Sequence, residues 1–295
     1  MKGIIVKNPF KMPHSSVSQA ERLKEEFNNL GVEISIVTDG YLRVMVENGK
    51  LKNEFKDIDF AIYLDKDKYF SQILERTGVR LFNSHDAIRV CDDKAETYIA
   101  LADKGFNLPD TIFGALCYNK DAKISDSAID TIGDRLGYPL IVKQCYGSLG
   151  KGVFKADNRS ELKTIMEEVK TCPHLFQKYI DCKKGVDVRL IVIGGKCIAT
   201  MERRNPNDYR SNVGCGGTGA VVELPEGFVE TAERISKVLK LDYCGVDLLY
   251  GKDNQPIVCE VNSNAFFDGI ESVTGINVAK AYAEYVIKTI DKKTT

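Results

Sequence analysis

The sequence predicts an α/β protein of the α+β type, with a parallel sheet first and strand-rich lobes after it. Two patterns support this. Strand-length apolar runs alternate with amphipathic helices over the first 90 residues, and two short-turn hairpins occur later, at the Gly-Gly pair 194–195 and around GKDNQ. Helices between strands favour parallel pairing, whereas tight turns favour antiparallel pairing. We therefore expect domains at 1–90, 91–180 and 181–295.

The first of these domains alternates strand and helix. GIIVK predicts a strand, SQAERLKEEFNNLG a helix ended by Gly31, and VEISIVT a second strand. FKDIDFAIYLD ends in a third strand, YFSQILERTG predicts a helix, and VRLFN a fourth strand. No G-x-G-x-x-G motif follows any of these strands, so the sequence does not indicate a dinucleotide-binding domain.

The remaining elements follow in the same way. SHDAIRVCDDKAETYIALADKG predicts one or two helices with a stop at Gly105, and FNLPDTIF begins a new unit. DSAIDTIGDRLGYPLIVKQ is helix then strand, ELKTIMEEVKT is a helix, and HLFQKYI is a strand. VDVRLIVIGGKCIATMERR and YCGVDLLYGKDNQPIVCEVN are hairpins on either side of the helix PEGFVETAERISKVLKL. A final helix is expected over about 277–290.

Composition argues against several classes of protein. The chain has 295 residues, 43% hydrophobic and 28% charged, which is typical of a soluble globular protein. A formal charge of −1 without long runs of one sign gives no nucleic-acid or membrane surface, and no apolar run approaches a membrane span. The nine scattered cysteines lack CxxC spacing, which favours a reducing cytoplasm, and the apolar run of MKGIIVKNPF is too short for a signal peptide.

The segment PLIVKQCYGSLGKGVFKA carries a candidate phosphate site. Lys143 lies in an apolar strand, and Gly147, Ser148 and Gly150 follow in a loop before the next strand. Glycines let backbone N–H groups approach phosphate oxygens, and a lysine supplies positive charge. The G-K-[ST] of a Walker A loop is absent. The alternative is a flexible hairpin, although a lysine in an apolar strand requires a partner.

Two further segments carry candidate charges. Asp187 and Arg189 alternate onto one strand face, where a simple surface ion pair is the alternative. In NDYRSNVGCGGTG, Arg210, Ser211 and Asn212 precede several glycines. This combination suits a phosphate or acyl phosphate that a mobile loop covers, and a solvent-exposed loop is the alternative.

The two strands of the last hairpin carry a candidate metal site. Glu260 and Asn262 are two residues apart and share a strand face, and Asp247 can lie opposite them. Oxygen ligands of this kind suit a hard cation such as Mg²⁺. The alternative is a pair of buried acids neutralised by arginines such as Arg189 or Arg203.

Taken together, and in the order in which they occur along the chain, these segments resemble the ATP-grasp family. Within that family they resemble the RimK-like branch of glutamate ligases. The phrases that carry the resemblance are MERR, DYRSNVGCGGTGAVVEL, CGVDLL, CEVNSN and GIESVTGINVAKAY. The resemblance extends from about residue 90 to the end, and the earlier part matches only in type. It implies an ATP-grasp fold, in which two α+β lobes clasp ATP behind an N-terminal parallel-sheet domain.

The resemblance implies roles that the residues alone leave open. The nucleotide site it implies comprises Lys94, Lys143, Gly147, Ser148, Gly150, Gln177, Lys178, Tyr179, Asp187, Arg210, Ser211 and Asn212. Alone, the segment HLFQKYI that contributes Gln177 to Tyr179 is more typical of a protein core. The implied catalytic residues are Arg210, Lys143 and Arg189, and the implied ligands of two Mg²⁺ ions, replaceable by Mn²⁺, are Asp247, Glu260 and Asn262.

The implied activity is ATP-dependent ligation of a carboxylate to an amine through an acyl phosphate, with release of ADP and phosphate. An amino acid such as L-glutamate would be added to a peptide, protein or small molecule, by a possible homodimer or homotetramer. A phosphotransferase and a non-catalytic nucleotide-binding module are the alternatives. The chain departs from relatives at Ala265, Phe266 and Phe267, where many have Pro-Gly, and at Cys215. Because of the first departure, the resemblance does not predict the residues of the acceptor pocket. It also assigns no role to Asn264.

Overall fold

The computed structural model describes residues 1–10, 14–148, 150–211 and 216–294. The strands are β1 (Lys2–Val6), β2 (Glu33–Val37), β3 (Val44–Glu47), β4 (Lys50–Asn53), β5 (Phe60–Tyr63), β6 (Arg80–Phe82), β7 (Thr111–Phe113), β8 (Leu140–Gln144), β9 (Val153–Ala156), β10 (His174–Lys178), β11 (Val186–Ile193), β12 (Lys196–Arg204), β13 (Thr218–Ala220), β14 (Tyr243–Tyr250) and β15 (Pro256–Asn262). The helices are α1 (His14–Asn29), α2 (Lys68–Arg76), α3 (His85–Asp92), α4 (Lys94–Leu101), α5 (Asp126–Leu136), α6 (Arg159–Val169), α7 (Phe228–Val238), α8 (Asp268–Thr274) and α9 (Val278–Thr294). The predicted α/β class is confirmed.

The first sheet is parallel and has the strand order β2-β1-β5-β6. Its central strand β5 is buried along its whole length, because helices cover both faces of the sheet. Helix α1 packs on one face, through Leu23 and Phe27, and α2 packs on the other, through Phe70 and Leu74. The hairpin β3–β4 was not predicted, and it lies between β2 and β5 in the chain.

The second sheet is antiparallel, with the order β7-β10-β8-β9. Helices α5 and α6 pack on it through a separate apolar core. Both begin at a capping side chain that accepts a backbone N–H of the first turn: Ser125 accepts from Ala128, and Asn158 accepts from Glu161. This sheet holds Lys143 on β8 and Gln177 on β10.

The third sheet is antiparallel, with the order β13-β12-β11-β14-β15. Helix α7 covers one face of it. The register places Asp247 opposite both Arg189 and Glu260, and Asp187 opposite Arg203. These charged residues therefore share the face that α7 leaves open.

The first and third sheets share one apolar core. Phe27 and Phe60 belong to the same buried cluster as Ile191, Tyr243 and the inner face of α9. The first, second and third sheets fall within residues 2–82, 111–178 and 186–262, and the two-stranded sheet β3–β4 also lies in the first of these ranges. The domains 1–90, 91–180 and 181–295 stay a prediction. None of the described helices has the length and hydropathy that crossing a membrane requires.

Candidate active site

A cleft of about 920 Å³ lies between the second and third sheets. The predicted site residues that line it are Lys94, Lys143, Gly147, Ser148, Gly150, Gln177, Lys178, Tyr179, Asp187, Arg210, Ser211 and Glu260. Arg189, Asp247 and Asn262 are not part of its lining and lie farther along the face of the third sheet. Asn212 and Cys215 lie outside the described residues.

The loop between β8 and β9 forms one wall of the cleft. Gly147, Gly150 and Gly152 all have positive φ angles, of 135°, 74° and 71°. Side chains with a Cβ rarely adopt these angles, so glycine is required for this course of the loop. Nζ of Lys94 donates a hydrogen bond to the carbonyl of Gly147 at 2.9 Å and thereby joins the start of α4 to the loop.

Lys143 is buried, and its ammonium lies near a bulge in β15. The β14–β15 register shifts after Asp247, which leaves Cys259 as the extra residue. The carbonyl of Cys259 accepts hydrogen bonds from Tyr98 Oη at 2.7 Å and from Lys143 Nζ at 3.4 Å. Burial alone would lower the pKa of Lys143, but the nearby Tyr98, Cys259 and Glu260 side chains raise it, so Lys143 is a stable cation.

Glu260 connects the cleft to the charged face of the third sheet. Its Oε1 lies 3.2 Å from Nζ of Lys94, and both side chains are largely buried. Directly across the β14–β15 ladder is Asp247. Two carboxylates on adjacent strands repel each other unless cations lie between or beside them.

Arginines supply those cations for Asp247. Arg189 donates to both Asp247 oxygens at 2.7 and 2.6 Å, and Arg203 reaches one of them at 2.8 Å. Arg203 also donates to both oxygens of Asp187, at 2.7 and 2.5 Å. Burial acts to raise the pKa of Asp247, but the two guanidinium groups lower it to about 2, so this carboxylate is ionised at neutral pH.

The donor set of this face fits a hard cation. Asp247, Glu260 and Asn262 offer two carboxylates and one carboxamide oxygen, the ligand types that Mg²⁺ prefers. The described residues contain no group of three or more His, Cys, Asp and Glu side chains arranged for a metal, so an amide or water must complete any site. Arg189 and Arg203 neutralise Asp247, which is what the alternative interpretation of this site predicts. The assignment of these three residues as metal ligands stays a prediction.

The loop after β12 brings a third cation to the cleft. Arg210 forms a bidentate pair with Asp208, through Nε at 3.2 Å and Nη2 at 2.8 Å, which lowers the pKa of that carboxyl. Nη1 of Arg210 lies 3.4 Å from the carbonyl of Gly150. The loops of the second and third sheets therefore meet across the cleft at this arginine.

Among known protein families, the sequence model of the RimK-like ATP-grasp domain matches residues 91–286 of the chain.

The chain belongs to the RimK-like ATP-grasp family.

Relatives in this family include human N-acetylaspartylglutamate synthase A, which is 32% identical over 267 residues, or 88% of this chain and 66% of the synthase. A probable α-L-glutamate ligase of Maridesulfovibrio salexigens is 36% identical over 217 residues, covering 72% of this chain and 69% of the ligase. The chain spans 56–66% of the length of the human, mouse and zebrafish synthases that it matches. D-alanine–D-alanine ligase of Bacillus anthracis complexed with ATP has the same fold, with a TM-score of 0.74, 22% identity, and coverage of 99% of this chain and 98% of that one.

The strand β10 and its continuation form the remaining wall of this ATP-grasp cleft. Gln177 is buried, and its Nε2 donates to Thr111 Oγ1 at 2.9 Å. Lys178 is exposed and pairs with Asp110 at 3.7 Å. The hydroxyl of Tyr179 is buried, with no hydrogen-bond partner among the described residues. The segment is therefore part core and part cleft wall.

Sequence reasoning missed several residues of the ATP-grasp cleft. Tyr98 on α4 is not part of the lining, but it donates a hydrogen bond to the Cys259 carbonyl beside it, a contact that its local sequence does not indicate. Lys151 and Lys183 add positive charge to the lining. Leu249 also lines the cleft, and it lies two residues beyond Asp247 on the same face of β14.

Proposed function

We propose that the chain is an ATP-dependent carboxylate–amine ligase that makes an amide bond through an acyl phosphate and releases ADP and phosphate. The observation that carries the proposal is the distribution of charge in the ATP-grasp cleft. Six cations line the cleft against two acids: the cations are Lys94, Lys143, Lys151, Lys178, Lys183 and Arg210, and the acids are Asp187 and Glu260. Such an excess of positive charge favours a polyphosphate.

In this proposal, different residues of the cleft contact the phosphates, the base and the ribose of the nucleotide. The backbone of the Gly147–Gly152 loop covers the phosphates, while Lys94 and Lys143 supply charge from beneath. The aromatic ring of Tyr179 and the strand end that carries it face the base. Asp187 lies on the ribose side, where Arg203 holds its carboxylate in place.

The reacting carboxylate attacks the γ-phosphorus, and the amine then displaces phosphate from the acyl phosphate. Arg210 and Lys143 stabilise the negative charge that develops on the transferred group. The glycine-rich loops exclude water, which would hydrolyse the acyl phosphate. No histidine is among the described residues that line the cleft. The proposed route requires no nucleophile from the protein.

Asp247, Glu260 and Asn262 would hold Mg²⁺, in a proposed set of two ions that Mn²⁺ could replace. When bound, the metal neutralises phosphate oxygens and orients them for in-line transfer. The protein's part is to offset the charge of the two carboxylates: Arg189 and Arg203 pair with Asp247, and Lys94 pairs with Glu260.

The proposed substrates are an amino acid such as L-glutamate and a peptide, protein or small-molecule partner. Support comes from relatives named N-acetylaspartylglutamate synthase, β-citrylglutamate synthase and α-L-glutamate ligase. We propose a cytoplasmic protein, with a homodimer or homotetramer as its assembly. These names point to different carboxylates, so we propose no single carboxylate as the partner of the amino acid.

The test is a panel of carboxylic acids assayed with ATP, Mg²⁺ and L-glutamate. We expect ADP and phosphate to appear only when both a carboxylate and an amine are present, and mass spectrometry to find the amide. Release of AMP and pyrophosphate would exclude this mechanism. ADP release with a phosphorylated product and no amide would instead indicate a phosphotransferase.

A further inference from the structure

A second cavity, of about 590 Å³, opens at the carboxyl edge of the first sheet. Its lining comes from the segments that follow three parallel strands: Lys7, Asn8 and Phe10 after β1, Tyr41 after β2, and Asp65 and Asp67 after β5. The chain leaves β1 for α1 on one face of the sheet and leaves β5 for α2 on the other. The crevice between β1 and β5 is therefore a topological switch point, where open parallel sheets bind ligands.

The charges of this crevice favour a cation. Asp65, Asp67 and Lys7 line the crevice, and the Asp67 carboxylate also caps α2 by accepting the backbone N–H of Phe70 at 2.6 Å. Asp65 accepts hydrogen bonds from the Asn8 carboxamide at 3.1 and 3.3 Å and from the backbone N–H of Lys66 at 2.7 Å. Among the described residues, no lysine, arginine or histidine forms an ion pair with Asp65 or Asp67; Lys66 pairs with Asp92 instead.

Burial and aromatic rings strengthen this preference. Burial, with a smaller contribution from the charge of Asp67, raises the pKa of Asp65, and a bound cation would offset that cost. Phe10 is 77% exposed and Tyr41 is 50% exposed at the rim. Exposed rings beside a carboxylate attract an ammonium that carries an apolar group, through cation–π and apolar contact.

The crevice lies on the same side of the molecule as the candidate active site. Asn83, directly after β6, donates to the carbonyl of Ser263, the residue after Asn262, at 2.9 Å. Gln19 donates to the carbonyl of Ala265 at 3.0 Å. Neighbouring strands are about 4.8 Å apart, so the β1–β5 crevice is roughly 5–10 Å along the sheet edge from Asn83.

We propose that this crevice binds an ammonium group on a substrate, with Asp65 as its counter-ion and the rings of Phe10 and Tyr41 against the adjoining apolar part. The inference rests on the ligase proposal for its role: the ammonium is a recognition group, separate from the reacting atoms, and it selects substrates with a cationic, apolar end. The specificity of the enzyme is then decided partly by the first sheet.

Binding of phenethylamine to the purified full chain tests this, with 3-phenylpropanamide as an uncharged analogue. We expect the amide to bind at least tenfold more weakly than the amine. Asp65→Asn retains the acceptor for Asn8 and should weaken amine binding at least tenfold. Asp59→Asn, at the opposite end of the same strand, should leave it unchanged.

Equal binding of amine and amide, or unchanged binding to the Asp65→Asn variant, would overturn the inference. Should that variant unfold, Phe10→Ser replaces a side chain that is 77% exposed, and it should weaken amine binding at least threefold. ADP release is measured on the same samples. Ligation without amine binding contradicts only the crevice, whereas amine binding without ligation contradicts only the ligase.

Discussion

At the scale of single residues, the site depends on charges whose partners are defined by position. Lys143, Lys94 and Glu260 each lie within hydrogen-bond or ion-pair distance of a group on another element. Lys143 and Glu260 were candidates because charged residues inside apolar strands are costly without partners, whereas Lys94 was a candidate only through the family resemblance. The sequence could not identify the bulge at Cys259, because a bulge is a property of two paired strands.

Replacement of Glu260 by glutamine should abolish turnover without unfolding the chain. The change removes one negative charge from the candidate metal face and the ion-pair partner of Lys94, while preserving volume. Glutamine keeps an oxygen acceptor for Lys94, which also donates to the Gly147 carbonyl, so we expect the chain to remain folded. ADP release and thermal unfolding measure the two effects, with Glu230→Gln, on the exposed face of α7, as the control. Near-normal activity at low magnesium would refute the metal assignment.

Replacement of Arg210 by alanine should slow turnover. The loss of one charge-stabilising donor costs about 2–4 kcal/mol in the transition state, or roughly 30- to 900-fold in kcat. Arg204→Ala is the matched control, because Arg204 is exposed and pairs with Glu202 rather than lining the cleft. A fall in kcat of less than about fivefold for Arg210→Ala would argue against its catalytic role.

At the scale of elements, the third sheet carries a row of alternating charges across four strands. Arg203 on β12, Asp187 and Arg189 on β11, and Asp247 on β14 are joined by short ion pairs, and Glu260 follows on β15. The alternation of Asp187 with Arg189 was visible in the sequence. The pairing of Asp247 with Glu260 was predicted from the hairpin and is confirmed. The pairing of Asp187 with Arg203 was not predicted, since register depends on which strands become neighbours.

Removal of Arg203 should therefore destabilise the sheet. The variant Arg203→Leu leaves Asp187 buried without its guanidinium partner, which we expect to cost about 3–5 kcal/mol of unfolding free energy. Urea denaturation measures this. Because a buried pair can be replaced by apolar residues at little net cost, the double variant Arg203→Leu, Asp187→Leu should recover much of the loss. A double variant no more stable than Arg203→Leu alone would show that the pair is not the cause.

At the scale of the whole molecule, the first and third sheets pack together through one apolar core. Asn83 carries four hydrogen bonds between them: its Nδ2 donates to the carbonyls of Tyr243 and Ser263, and its Oδ1 accepts from the N–H groups of Asp242 and Tyr243. Arg80 adds a pair with Asp242 at 2.8 Å. These contacts hold the end of β15, and hence Asn262, against the first sheet.

Replacement of Asn83 by alanine should destabilise the whole chain. It leaves buried donors and acceptors on both sides unsatisfied, which we expect to cost about 2–4 kcal/mol. Chemical denaturation monitored by circular dichroism gives the value, and the exposed Asn28→Ala serves as control. A change below about 0.5 kcal/mol would mean that the four bonds contribute no net stability.

The sequence by itself determined the α/β class and the order of most strands and helices, and it predicted residue types for the site, because periodicity, glycine loops and charges in apolar strands are local signals. It missed β13, α8 and the β3–β4 hairpin, which are too short or too polar for a clear period. Phe267, at a position where the chain departs from relatives, is fully buried in the shared core. Only the tertiary structure decided that Arg189 faces Asp247 rather than the cleft, and that a crevice opens beside Asp65. Both depend on contacts between residues far apart in the chain, which no local pattern records.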